Sequence, residues 1–271
     1  FLPAALLAGI DDYDYLDRRS VTATVARHLR SGGESSLRFE FGWHEDRALE
    51  RIVREAPLGG DTLRHNRPIT PGRYALARAT IEQRRSLLGF TLEPGFGARL
   101  AVEQAFGGLE WQRLETALLA RHAIGPVTVT ARLDAGAVIG DPPPLQTIFE
   151  LASFTDLPGY GYKEFAGDRA ALFRANLRYD PGLLDSPLRL GAVVLPGLSP
   201  APVLRLHAGW TAASASAAEA IAALGSRPTP ALRHSLDLRL TFFGGAIGLG
   251  AARQLHTKDG WTFLWTVGTA L

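Results

Sequence analysis

The sequence predicts an all-β protein, an antiparallel transmembrane β-barrel of about twelve strands. Three observations predict this fold. Segments of about ten to thirteen residues alternate between apolar and polar side chains. Charged residues recur on the polar face of nearly every segment. A glycine-rich stretch, residues 157–169, interrupts the alternation and has neither a strand nor a helix pattern.

The alternation is clearest in residues 36–46, where Leu37, Phe39, Phe41 and Trp43 share one face. A period of two is typical of a strand, because successive side chains point to opposite faces. The same pattern recurs along the chain. The predicted strands are 19–31, 35–47, 72–84, 96–107, 110–122, 126–138, 144–154, 168–181, 201–213, 231–243, 245–254 and 260–271.

Strand length and charge favour a membrane barrel over a soluble fold. The segments are about twice the usual soluble strand length of about five or six residues, and they match the ~9–11 tilted residues that cross a bilayer. Charges such as Arg38 with Glu40 and Arg132 with Asp134 lie within the strands. A soluble sandwich with one charged, solvated face remains an alternative. Repetition in nearly every strand favours a polar lumen and a lipid-facing apolar belt.

The connections between the strands differ in length. The glycine-rich stretch suits a loop, 155–167, that folds back and approaches a neighbouring wall closely. Residues 214–224 have strong helix propensity, with a serine at their start, and predict a short helix over one barrel mouth. The other long connections are 48–71 and 182–200. Asp14, just before the first strand, is interpreted as part of a solvated turn.

Composition excludes several classes of function. The 271 residues include no cysteine, so disulfides and thiolate metal sites are excluded. The net charge is +2 without a block of like charge, which argues against a nucleic-acid partner. The seven histidines lack metal-ligand spacing, and neither a GxSxG elbow nor a P-loop is present. We therefore expect no enzyme, no catalytic or metal site and no cofactor.

Residues 149–180 resemble the bacterial surface antigen superfamily, which includes the BamA/TamA outer-membrane insertases. In that family a strand similar to 149–151 precedes an inward-folded extracellular loop with a Val-Arg-Gly-Phe/Tyr motif. A Gly-Asp-Arg sequence then opens the next strand. The corresponding lumen-loop residues in this chain are Leu157, Pro158, Gly159, Tyr160, Gly167, Asp168 and Arg169.

Pro158 stands where the family has an arginine that anchors the loop to an acidic residue of the barrel wall. We therefore expect docking through Gly159 and Tyr160, with Arg169 reaching a lumen partner at Asp237, beside Arg239. Family barrels usually have sixteen strands, so the strands found here would be part of such a barrel. With twelve strands and 155–167 outside the cell, the connection 48–71 would lie on the periplasmic side, where turns are usually short.

The resemblance implies one outer-membrane domain over residues 1–271, with no periplasmic POTRA repeats in this chain, in the bacterial outer membrane. Its partners would be the lipid bilayer and unfolded outer-membrane proteins, which the barrel helps to insert or translocate. A weakly paired seam between the first and last strands, including Gly268 and Leu271, would template an incoming strand. The alternative is a passive barrel, either the anchor of an upstream effector domain of the patatin-like type or a plugged pore.

Overall fold

The computed structural model describes residues 14–29, 34–49, 65–88, 93–153, 155–191, 193–256 and 260–267. Eleven long strands form one antiparallel sheet in the order β1-β2-β3-β4-β5-β6-β9-β12-β13-β14-β15. Their bounds are β1 Leu16–His28, β2 Ser35–Ala48, β3 Gly72–Gln83, β4 Gly95–Gly107, β5 Trp111–Ile124, β6 Val127–Ile139, β9 Arg169–Tyr179, β12 Ala201–Ala212, β13 Arg233–Phe242, β14 Ile247–Gln254 and β15 Thr262–Val267.

Four short strands lie outside this sheet. Strand β7 (Phe149–Leu151) pairs with β8 (Phe165–Gly167), and β10 (Leu188–Leu190) pairs with β11 (Val193–Leu195). The helices are α1 (Arg85–Leu88) and α2 (Ala218–Ala223), and one-turn 3-10 helices span Leu145–Thr147 and Phe243–Gly245. The predicted helix near 214–224 is therefore present as α2.

The polarity of the sheet is the reverse of that of a soluble core. On β2, Phe39 and Phe41 are 52% and 61% exposed, whereas His44 and Asp46 on the opposite face are buried. The other long strands repeat this arrangement, with apolar residues outward and polar residues on the concave side, which we call the lumen. The all-β class and the alternating polar and apolar faces predicted from sequence are confirmed.

One predicted strand is wrong. Residues 144–154 do not join the large sheet, because β6 pairs directly with β9 through Ala137 and Arg169. The segment instead forms a 3-10 turn and the three-residue strand β7. Pro142, Pro143 and Pro144 precede it and cannot donate to a strand ladder, which favours departure from the sheet at this point.

Because residues 144–154 do not form a strand of the large sheet, every later strand runs in the direction opposite to the one predicted. The connections 49–71, 140–168 and 213–232 leave and rejoin the strands at the same end of the sheet, which we call the loop end. The expectation that 48–71 faces the side opposite 155–167 is therefore wrong. The opposite end, the turn end, carries the tight turn at 125–126 and the longer connection 180–200 with β10 and β11.

The connection 140–168 folds into the lumen, and we call it the plug; the connection 213–232 covers it, and we call it the cap. Because the plug contacts β2 through Gln146 and β14 through Gly159, the sheet curls around it. A buried apolar cluster joins plug, cap and wall at the loop end and includes Tyr74, Trp111, Val138, Ile148, Ala166, Ala220 and Ile221.

The strands β1 and β15 are the two edges of the sheet, and the described residues of these strands do not pair with each other. The seam residues Gly268 and Leu271 lie outside the described residues. No helix in the described ranges is long and apolar enough to cross a membrane.

Candidate functional site

The plug begins with an anchor on the first strands of the wall. Gln146 Nε2 donates to Asp46 Oδ2 at 3.2 Å. Arg18 also donates to Asp46, with Nε and Nη2 at 2.6 and 2.8 Å, and the Tyr74 hydroxyl donates at 3.1 Å. Asp46 is thus a fully buried acceptor that joins three strands, β1, β2 and β3, to the plug, and a bidentate arginine satisfies its charge.

The next part of the plug packs on apolar and small residues of the wall. The ring of Phe149 lies over Gly136 of β6, and the Arg113 guanidinium stands 4.5 Å from the ring centroid. A Cβ on Gly209 of β12 would lie 2.5 Å from Leu157 Cδ1, so Leu157 occupies the space that a side chain would fill. Leu157 is buried with Leu151, Phe165 and Leu172.

The tip of the plug reaches the last strands. Gly159 has a φ of +95°, and a Cβ there would lie 3.2 Å from the backbone nitrogen of Gln254. Gln254 Nε2 donates to the Gly159 carbonyl at 3.3 Å, and the Tyr160 hydroxyl donates to the His234 carbonyl at 3.1 Å. Burial raises the pKa of Tyr160, so its hydroxyl remains a donor at neutral pH.

Pro158 is almost completely buried beside these residues. A guanidinium at this position would be a buried charge that needs a carboxylate partner. The lumen carboxylate of Asp237 is already bound by Arg239, whose Nε donates to Oδ1 at 2.8 Å, and both side chains are inaccessible. An apolar residue at position 158 therefore fits this lumen.

The Gly-Asp-Arg segment occupies the junction between plug and wall. Gly167 ends β8, and the Ser214 N–H donates to both Asp168 oxygens at 3.2 Å, which ties the junction to the cap. Arg169 is exposed on the outward face of β9. The expected contact from Arg169 to Asp237 is therefore not formed, because strand alternation directs Arg169 away from the lumen.

A polar cluster that the sequence did not predict locks the plug from the loop end. Lys163 Nζ lies 2.6 Å from Asp14 and 2.5 Å from Glu150, and Arg67 binds the second oxygen of Glu150. Arg67 Nη1 also donates to Ser226 Oγ at 2.8 Å. These five residues, Asp14, Arg67, Glu150, Lys163 and Ser226, form what we call the knot.

The knot joins four segments that are distant in sequence. Asp14 is part of it, so its interpretation as a solvated turn residue is wrong. Burial alone would lower the pKa of Lys163, but hydrogen bonds to Asp14 and Glu150 outweigh burial and raise it. Lys163 is therefore a cation held between two carboxylates at neutral pH. No local sequence motif predicts such a cluster, because its residues come into contact only after the loops fold.

The cap holds the plug through its backbone as well. The Ala166 N–H donates to the Arg227 carbonyl at 2.9 Å, and the Arg227 N–H donates to the Glu164 carbonyl at 3.1 Å. The Arg227 guanidinium also contacts Glu164 at 2.6 Å. These contacts extend the two-stranded β7–β8 sheet by one bridge into the cap.

Ion pairs cover the remaining lumen wall. The pairs are Arg38–Glu40, Arg78–Glu115, Arg99–Glu82, Arg113–Glu115, Arg132–Asp134, Arg174–Asp134 and Arg239–Asp237. A cavity of about 260 Å³ lies between the plug and the wall near Arg132, Asp134 and Arg174. Another, of about 380 Å³, lies near Arg78 and Arg113. The plug thus fills the lumen incompletely and leaves polar space beside it.

The described ranges contain no group of three or more His, Cys, Asp or Glu side chains arranged to hold a metal ion. Their chemistry is that of ion pairing and packing. The arrangement holds a plug in a polar lumen.

Neither a protein-family model nor a curated protein sequence matches the chain. Among solved structures, CdiB from Acinetobacter baumannii is similar, with a TM-score of 0.40 and 12% sequence identity. The match takes in 94% of this chain and 50% of the CdiB chain, so this chain spans about half the length of that structure. A structural similarity this low gives no basis for inferring function.

Proposed function

We propose that this chain is an outer-membrane β-barrel protein that assists the insertion or translocation of polypeptides. The observation that carries the proposal is the glycine-rich loop lying inside a polar lumen, within a sheet whose outer face is apolar. The family that residues 149–180 resemble has such an inward-folded loop. The proposal assigns no catalytic residue and no cofactor.

The outer face supports a membrane location. Exposed apolar residues on neighbouring strands lie in register, as Leu118, Leu133 and Phe173 do across β5, β6 and β9. Soluble monomers rarely expose apolar patches larger than a few hundred Å². Lipid is the partner that suits a belt extending over eleven strands. The loop end would face the cell exterior, because extracellular loops are longer than periplasmic turns in such barrels.

Two features suit polypeptide handling. Among the described residues, β1 and β15 are the edge strands of the sheet, and an extended client strand can add to such an edge by β-augmentation. The plug is held by side-chain contacts and short backbone bridges, which can be broken without dismantling the large sheet. In the BamA/TamA type of mechanism, the client is unfolded outer-membrane protein.

Depletion of the protein from its host tests this function. The proposal predicts that the levels of other folded outer-membrane barrels fall, while periplasmic proteins are unaffected. Purified protein in liposomes should also accelerate insertion of an unfolded eight-stranded barrel, relative to empty liposomes. Unchanged barrel assembly in both assays would rule out the insertase role.

A second candidate is a passive barrel, and the tight fit of Leu157 against Gly209 favours it. In that case the plug closes a pore, or the barrel anchors an upstream effector domain of the patatin-like type. Ion conductance that appears in planar bilayers when residues 155–167 are deleted would favour the pore. An effector domain upstream in the complete reading frame would favour the anchor.

A further inference from the structure

The lumen wall and the plug carry opposite net charges. Inward positions on the eleven described strands, those that alternate with the exposed apolar residues, hold twelve arginines and seven carboxylates. The wall therefore has a clear excess of positive charge in its described part. All of its cations other than histidine are arginines, whose guanidinium groups bind carboxylates and other oxyanions with two parallel hydrogen bonds.

The excess is concentrated on β9, β12 and β13. The register places Arg205 opposite both Asn176 and Asp237, and it places Val203 between Arg178 and Arg239. In the described residues of these three strands, Asp237 is the only inward carboxylate. The Asp237 carboxylate is paired with Arg239 of the same strand. The three strands thus carry five inward arginines against this one carboxylate, and two of the five pair with carboxylates outside these strands, Arg174 with Asp134 and Arg178 with Asp180.

The plug supplies acidic residues to this basic surface. Residues 140–168 contain five carboxylates, Asp141, Glu150, Asp156, Glu164 and Asp168, and a single cation, Lys163. Asp156 Oδ1 approaches Arg174 Nη1 of the wall at 4.0 Å. Asp156 thus brings one negative charge of the plug to the wall, whereas Glu150 and Glu164 pair with Arg67 and Arg227 at the loop end.

We propose that the lumen is an anion-binding surface, and that the barrel without its plug passes anions in preference to cations. Within a lumen whose charges lie closer than the screening length of about 10 Å at 0.1 M salt, excess guanidinium concentrates anions and repels cations. The inference rests on the pore described under the second candidate function. It adds the class of solute that the lumen selects.

The experiment replaces residues 141–167 with a five-residue Gly-Ser turn. This exchange suits the fold, because Ala137 and Arg169 are already paired neighbours on β6 and β9. The purified barrel is inserted in planar bilayers under a tenfold KCl gradient, and the reversal potential is measured. We expect a chloride-over-potassium permeability ratio of about 3 or more. Adding Arg178→Gln and Arg205→Gln should lower the ratio toward one.

The matched control is Arg73→Gln, an outward-facing arginine, which should leave the ratio unchanged. If the barrel with the replaced plug does not fold, the full chain with Gly159→Val is used instead. Its loosened plug should open the pore briefly, and the reversal potential is measured during these openings. Conductance without selectivity, or with preference for potassium, would contradict the anion preference but would still support a pore. A folded barrel that lacks its plug and does not conduct overturns the pore and the inference together.

Discussion

Gly159, at the tip of the plug, combines a left-handed backbone with a close approach to the wall. Its φ of +95° strains any residue with a Cβ, and a Cβ there would also lie a tight 3.2 Å from the backbone nitrogen of Gln254. By contrast, Gly161 in the same loop has only ordinary contacts around its Cβ position. The two glycines therefore provide a matched pair for testing how the tip of the plug is seated.

We predict that Gly159→Val loosens the plug, whereas Gly161→Ala does not. The valine must adopt a strained backbone and displace β14, at a cost of about 1–3 kcal/mol. Limited proteolysis of the folded barrel in detergent measures the effect, with cleavage within 155–167 faster in the Gly159 variant. Equal cleavage rates in the two variants would contradict the seating described for the tip.

Lys163 binds two carboxylates of the knot, Asp14 and Glu150. Lys163→Met removes the cation that Asp14 and Glu150 share, and we expect a loss of roughly 1–3 kcal/mol at neutral pH, as for charged hydrogen bonds that are mostly buried. The control is Arg227→Met, which removes an ion pair whose arginine is largely exposed and should cost less. Thermal unfolding in detergent compares the two variants with the parent.

The pH dependence of that difference follows from the raised pKa of Lys163. A group whose pKa is raised on folding contributes its full stabilisation below the ordinary lysine pKa of about 10.4. The contribution is lost as the pH rises through the raised value. The stability gap between parent and Lys163→Met should therefore be constant from pH 7 to 9 and close in strongly alkaline buffer. A gap that closes near neutral pH would contradict the assignment.

At the scale of elements, the central relation is between the plug and β12. Leu157 occupies the space above Gly209, and Leu157 Cγ lies 3.0 Å from the Cβ position of that glycine. The two Cβ positions are therefore no farther apart than about 4.5 Å, the upper range for disulfides. The absence of native cysteine makes a cross-link between these elements easy to interpret.

We predict that Leu157→Cys with Gly209→Cys forms a disulfide on mild oxidation and protects residues 155–167 from protease. The control pairs Leu157→Cys with Ala208→Cys, because Ala208 lies on the outward face of β12 and should not cross-link. Mobility on non-reducing gels reports the bond. Equal cross-linking of both pairs would contradict a plug seated inside the lumen.

Elements also show how far the sequence could be interpreted. Alternation predicted the long strands well, because a period of two is a local property that residues 36–46 carry in full. The same period misled at 144–154, where Phe149 and Leu151 belong to a short strand of the plug. The knot could not be predicted from the sequence, because Asp14 and Lys163 come into contact only when the loops fold. Strand parity alone could have shown that Arg169 faces away from Asp237.

In the whole molecule, the polar side chains face inward and the apolar side chains face outward. The concave face holds arginines and carboxylates around an acidic plug, and the convex face holds the apolar side chains. A soluble sandwich would place these faces the other way round. The placement of lipid outside and water inside is thus the claim on which the proposed function and the anion preference of the lumen both rest.

The most direct test uses single-cysteine variants along β6 in the cysteine-free chain, each carrying a nitroxide label in liposomes. Positions 129, 131, 133 and 135 should be accessible to oxygen, which concentrates in lipid, and 130, 132 and 134 should not. Electron paramagnetic resonance saturation with oxygen and with a water-soluble nickel complex measures both accessibilities. With lipid against the outer face, oxygen accessibility should alternate with a period of two and have its maxima at the odd positions. Odd positions that are accessible to nickel and not to oxygen would contradict it.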